Sequence, residues 1–213
     1  RTKSILLKSE MSALDLIVGP LYSNNFKHVA KFAKENKIPL VSPVKQRNKI
    51  LLGNQYVFKT IPSKSTIITP ITKLVVDSFK TANLLAIEYE KSKEKSLIDL
   101  YVKSYNNKIL SSDDTTIYSP IKVLKINTNI ADVVSHLKMD KNNVIFAPTS
   151  EQTFVTNLFS YLATNLNKKD YKNCKVTLIG LEEWMKYENI DLEYFQKLNV
   201  HYCSTRFIGD QDS

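Results

Sequence analysis

The sequence is poor in the residues on which several kinds of function depend. Its four glycines, Gly19, Gly53, Gly180 and Gly209, form neither a GxGxxG fingerprint nor a phosphate-binding loop, which sets a nucleotide cradle aside. Its two cysteines, Cys174 and Cys203, match no CxxC or metal-ligand spacing. Each lies beside an expected strand, which favours buried structural thiols over a disulfide, a bond that needs an oxidising compartment and suitable geometry. The three histidines, His28, His136 and His201, stand isolated. No catalytic set, metal site or cofactor is therefore expected. No apolar run approaches the roughly 20 residues a membrane-spanning helix needs; stretches such as Leu14 to Val18 are strand-sized.

Arginine is scarce as well. The net charge of +9 and a pI near 9.3 suggest an acidic partner, yet only Arg1, Arg47 and Arg206 among the 30 basic residues are arginines. Arginine is the side chain that forks onto phosphates and base edges. The lysines are scattered, without interleaved stacking aromatics, so a solvated lysine face is expected and nucleic-acid binding is not.

What is present is ordinary globular material, 43% hydrophobic and 24% charged. At 213 residues the chain is long enough for one large domain or two small lobes with real cores. Short apolar runs read as strands at Leu16–Val18, Pro39–Val41, Leu84–Ile87, Val144–Phe146 and Val176–Ile179. Being continuous rather than alternating, they suggest strands covered on both faces, as in parallel sheets. Between them lie stripes at helical spacing: Phe26, Val29, Ala30, Ala33; Ile67, Ile71, Leu74, Val75, Phe79; Leu97, Leu100, Tyr101, Tyr105; Ile130, Val133, Val134, Leu137; and Phe154, Leu158, Phe159, Leu162. This alternation predicts repeated βαβ units and an α/β fold with parallel sheets. Ser23 or Asn24 is placed to cap the first long helix, and Thr149 or Ser150 the helix after Val144–Phe146.

In open α/β sheets ligands bind at the carboxyl ends of the strands. Those ends carry Gly19 to Asn24, Ser42-Pro43, Ala147-Pro148-Thr149-Ser150 and Gly180 to Trp184. Small residues and hydroxyls there suit a small polar or zwitterionic ligand, although Ser, Thr, Gly and Pro also serve any βα loop as turn formers and caps.

The stretch "DLIVGPLYSNNFKHVAKFAKENKIPLVSPV" resembles a segment of the type I periplasmic binding proteins, the receptor family of the leucine/isoleucine/valine-binding proteins that includes the penicillin-binding-protein activator lipoproteins. "YVFKTIPSKSTIITPITKLV", "NNVIFAPTSEQTFVTNLFSYL", "VTLIGLEEW" and "VHYCSTRFIGD" are similar to later parts of that family, in the same order. The resemblance implies two lobes of parallel sheet flanked by helices, with a ligand cleft between them. Lobe one spans residues 1–79, incompletely, with a return segment at 197–213, and lobe two spans 80–196. The family's opening strand, helix and second strand, and its closing helices, have no counterpart here, so the chain reads as the middle of a larger protein.

By the same resemblance, Ser23, Ser42, Tyr89, Thr149, Ser150 and Glu182 are the ligand-binding residues. The implied function is a non-enzymatic solute-binding module of the bacterial periplasm or cell envelope. It holds an amino-acid-like or peptide-like ligand and serves an ABC transporter or receptor. "EYEKSKEKS" departs from the family by lacking a Tyr-Gly turn, which leans toward an alternative: an envelope interaction lipoprotein with a vestigial cleft that engages a cell-wall enzyme. The adjacent carboxylates Glu182-Glu183 and Asp113-Asp114 are the only trace of an enzyme, and neighbours in sequence point apart.

Overall fold

The computed structural model describes residues 1–44, 46, 48–112, 117–171 and 173–204, with the backbone alone for Ser23 and Asn48. Arg47, Arg206, Asp113-Asp114 and most of the expected return segment lie outside the described residues. The chain divides into two compact units, Arg1–Thr66 and Ile67–Ser213.

The first unit runs α1 (Thr2–Leu6), β1 (Ile17–Val18), α2 (Ser23–Asn36), β2 (Leu40–Ser42) and β3 (Val57–Lys59). The strands form a parallel sheet in the order β1-β2-β3. The α2 stripe of Phe26, Val29 and Ala33 packs with Leu40 and Val57, because register aligns Ile17, Leu40 and Val57 on one face of the sheet. The next residue in each strand points the other way. There Val18 is 67% and Phe58 53% exposed, so in this unit the expectation of strands covered on both faces does not hold. The helix begins one residue earlier than the expected caps. Tyr22 is the N-cap, no side chain caps it, and Ser23 and Asn24 fall within the first turn. Its far end turns at Lys37, in the left-handed region at φ 57°, whose N–H returns to the carbonyls of Ala33 and Lys34.

The second unit contains α3 (Ile68–Ser78), β4 (Asn83–Tyr89), α4 (Ser96–Leu110), β5 (Ile121–Ile126), α5 (Ala131–Ser135), β6 (Asn142–Phe146), α6 (Gln152–Leu166), β7 (Lys175–Leu181), α7 (Leu192–Lys197) and β8 (His201–Cys203). Its five strands are parallel, in the order β5-β4-β6-β7-β8. Here the both-faces expectation does hold: Leu84, Leu85, Ala86 and Ile87 are all buried, as are Val144, Ile145 and Phe146 of the neighbouring β6. The helical stripes read from the sequence form the cover, with Val75, Tyr101, Tyr105, Val133, Leu158 and Phe159 buried in the same core. Leu100 is the exception, turned outward on α4. Pro70 sits in the first turn of α3, where a missing N–H costs nothing.

Two tyrosines of α4 give this core a response to alkali. Tyr101 packs against Phe146, with ring centroids 4.7 Å apart, and the Tyr105 hydroxyl donates to the Ser119 carbonyl at 2.8 Å. Burial pushes both phenols up; with a smaller contribution from Tyr118, Tyr105 reaches about 12, and Tyr101 goes further. In the unfolded chain a phenol ionises near pH 10. Stability is therefore fully present below about pH 10 and is lost as the pH rises toward the folded value, because only the unfolded chain gives up its protons in that window. Urea unfolding at about pH 9 and about pH 11 is expected to show a lower midpoint at the higher pH. Tyr105→Phe is expected to lessen that drop, while costing about 1 kcal/mol at neutral pH for the stranded Ser119 carbonyl.

Candidate functional site

The order of the five-stranded sheet singles out one place. From β4 the chain moves to β5 on one side, then returns to place β6 on the other. The connections after β4 and β6 therefore leave in opposite directions, and such switch points open a crevice at the carboxyl ends of the two strands. The segments flanking it are residues 90–95, after β4, and 147–151, after β6.

Of the residues expected to bind a ligand, Tyr89, Thr149, Ser150 and Glu182 are brought to this end of the second unit. Tyr89 ends β4, and its ring stacks on Phe154 of the first turn of α6 at 4.1 Å and 18°. Thr149 is buried. Its hydroxyl accepts the Glu151 N–H at 3.2 Å, and its carbonyl accepts the indole N–H of Trp184 at 2.8 Å. Glu151, not Thr149 or Ser150, is the N-cap of α6; the threonine acts from two positions upstream.

Ser150 is held on three sides. Its hydroxyl donates to Glu94 Oε1 at 2.7 Å, its N–H points at Glu94 Oε2 at 3.4 Å, and its carbonyl accepts the Tyr187 hydroxyl at 2.9 Å. Glu182 follows β7 and opens a 3₁₀ turn through Lys186. It lies close enough to Cys203, whose strand pairs with β7, that its charge adds to burial in pushing the Cys203 thiol up. Cys174 is raised by burial alone, and both thiols are free.

Ser23 and Ser42 belong to the first unit. Ser23 opens α2, and its side chain lies outside the described residues. Ser42 ends β2, fully buried. Its hydroxyl donates to the Val44 carbonyl at 3.0 Å, and its own carbonyl accepts the Thr60 hydroxyl at 3.0 Å. The hydroxyls of Ser42, Thr149 and Ser150 are thus each engaged within the protein. Among the described residues, no group of three or more His, Cys, Asp or Glu is placed to hold a metal ion, and no helix is long and apolar enough to cross a membrane.

The chain thus has two parallel α/β units, one of them with a switch point. No family model and no curated protein matches the chain. Among solved structures it is similar to a protein of Rhodospirillum rubrum assigned as a branched-chain amino acid ABC transporter, with a TM-score of 0.68 at 9% identity over 99% of this chain and 56% of that one. The chain has the fold of the type I periplasmic binding proteins. Full-length LpoA of Haemophilus influenzae matches at a TM-score of 0.59 and 12% identity, over 94% of this chain and 34% of that one. An ABC transporter substrate-binding protein of Desulfitobacterium hafniense, in complex with Leu, matches at 0.51 and 14%, over 86% and 50%. The chain thus spans between about a third and just over half of the length of these proteins.

Three residues that shape this site, Glu94, Ser92 and Trp184, carry little mark in the sequence. Glu94 and Ser92 lie in "EYEKSKEKS", where flanking lysines make a glutamate look solvated. The one signal was local: a serine two residues before the acid, and the Ser92 hydroxyl indeed accepts the Glu94 N–H at 3.1 Å. Trp184 falls at a strand end in the sequence, but its hold on the Thr149 carbonyl spans 35 residues of sequence, which no local pattern announces.

Proposed function

We propose that this chain is part of a non-enzymatic solute-binding or receptor module of the bacterial periplasm or cell envelope, holding a small, polar, amino-acid-like or peptide-like ligand. The observation that carries the reading is the switch point between β4 and β6, with Tyr89, Thr149, Ser150 and Glu182 gathered at the strand ends around it. Glu182 supplies a carboxylate for a ligand ammonium and Tyr89 an aromatic wall. The fold of solute-binding relatives supports this reading; fold alone never decides a ligand.

A second reading has its own observation. The hydroxyls of Ser42, Thr149 and Ser150 are engaged within the protein, as suits an interaction protein of the envelope, serving a cell-wall enzyme through its surface, whose ligand site is vestigial. Similarity to LpoA is compatible with it.

Thermal unfolding of the chain against amino acids, short peptides and cell-wall fragments separates the two. A ligand at about a hundred times its Kd adds about 2.7 kcal/mol, and each kcal/mol raises the Tm by roughly 2–4 °C in a chain of this size. A rise with one class of compound that Glu182→Gln removes is the expected result. No rise with any compound, together with retention of a cell-wall enzyme on the immobilised chain, would replace the first reading by the second.

A further inference from the structure

The crevice between β4 and β6 is already occupied by a carboxylate, and that carboxylate belongs to the protein. Glu94 is only 8% exposed. One of its oxygens accepts the Ser150 hydroxyl at 2.7 Å. The other accepts the Ser92 hydroxyl at 3.0 Å and faces the Ser150 N–H at 3.4 Å. Ser92 is itself buried, and its Oγ also lies 3.5 Å from the Pro148 carbonyl. The two flanking segments of the switch point are tied together by this one side chain, 56 residues away from its main donor.

These are the donors a bound carboxylate needs: hydroxyls and a backbone N–H converging on a site sheltered from water, where charge-assisted hydrogen bonds are strongest. A carboxylate buried to this degree persists only when its oxygens are satisfied, and Glu94 supplies both the charge and the shape. Residues 90–95, the connection between β4 and α4, deliver it.

We propose that Glu94 is a specificity-determining residue, a tethered carboxylate that fills the anion-accepting donors of the β4–β6 crevice and closes them to any ligand carboxylate. Resting on the solute-binding reading, this narrows the ligand class: the group presented to this wall of the second unit is neutral or cationic, and Ser150 is a partner of Glu94 rather than of the ligand.

The test is chemical rescue. Glu94→Ala is expected to lower the Tm by several degrees, and sodium formate or acetate is expected to restore most of that loss, saturably, where sodium chloride at equal ionic strength does not. The wild-type chain is expected to show no difference between the salts. In Glu94→Ala combined with Ser150→Ala, the rescue is expected to vanish. Should Glu94→Ala not fold in plain buffer, the same comparison is made on its refolded yield in formate against chloride. A variant as stable as wild type, or one that responds to carboxylates no more than to chloride, overturns the proposal.

Rescue needs no natural ligand, so its failure leaves the solute-binding reading standing. The reverse also holds. If an amino acid stabilises the wild-type chain and Ser150→Ala abolishes the effect, solute binding stands and the role given to Glu94 falls.

Discussion

Gly180→Ala is expected to be among the most damaging single substitutions in the second unit. A methyl group at this position of β7 would lie 2.2 Å from Cη2 and Cζ3 of Trp184 and 2.4 Å from its Cε3, far inside van der Waals contact. The indole cannot step aside. It is 1% exposed, meets Phe159 edge-on at a centroid distance of 5.4 Å, and its N–H is fixed on the Thr149 carbonyl. Relief must come from moving β7, the 3₁₀ turn after it or the Thr149 loop, and overpacking of this kind costs about 1–3 kcal/mol, occasionally more. With three ring atoms overlapped, the upper end, about 3 kcal/mol, is expected, lowering the Tm by roughly 6–12 °C. A double-mutant cycle in thermal or urea unfolding checks the cause. Trp184→Ala alone costs about 3–5 kcal/mol, and adding Gly180→Ala to it is expected to cost almost nothing more. An undiminished cost in the double variant would locate the damage in the backbone of β7 instead.

The same contact explains why part of this protein is legible in its sequence and part is not. Hydrophobic period is a local property, so β4, β6, β7 and the long helices could be read from runs and stripes, and the burial of Leu84 to Ile87 on both faces follows from them. The strand β5 is hidden because in "IKVLKI" Lys122 and Lys125, three residues apart, interrupt any apolar run and fit no strand alternation, and Val123 lies exposed at the sheet edge; only Leu124 and Ile126 are buried there. The strands β3 (Val57–Lys59) and β8 (His201–Cys203) mix polar and apolar letters within three residues, so no apolar run marks them and only the family resemblance points to them. The bare face of the first sheet, with Val18 and Phe58, follows from which helices pack there, and no run of apolar letters contains that information.

The site was legible by address and illegible by chemistry. Strand ends rich in hydroxyls point to the loops that flank the switch point, since a parallel sheet puts its βα connections at one end. Which polar groups are engaged within the protein is decided by pairs such as the Ser150 hydroxyl with Glu94 and the Trp184 indole with the Thr149 carbonyl, each assembled across more than 30 residues of chain. A glutamate among lysines carries no mark of its burial until its partner is known.

Asn143→Ala is the second substitution expected to be severe, and it acts at the opposite end of the sheet. Asn143 is fully buried near the start of β6. Its Oδ1 accepts the Asn83 side-chain amide at 2.8 Å and the Lys138 N–H at 2.8 Å. Its Nδ2 lies 2.8 Å from the Lys138 carbonyl, 3.0 Å from the Lys175 carbonyl and 3.2 Å from the Lys141 carbonyl, with the Cys174 sulfur at 3.3 Å. One amide thus joins β4, β6 and the start of β7 through the turn that precedes β6. Alanine would strand the Lys138 N–H and at least one carbonyl in a dry site, at about 1–3 kcal/mol for each buried group left unpaired, so a total loss of about 3–5 kcal/mol is expected in urea or thermal unfolding. Asn143→Asp distinguishes lost packing from lost polarity, because it keeps the volume and the acceptor but turns a carboxylate toward several carbonyls. At neutral pH it is expected to be at least as destabilising as alanine, with part of the loss returning in mild acid as the carboxyl regains a proton to donate. If aspartate is instead tolerated at neutral pH, the network is not what holds this end of the sheet, and the packing of Val144 and Ile145 beside it must suffice.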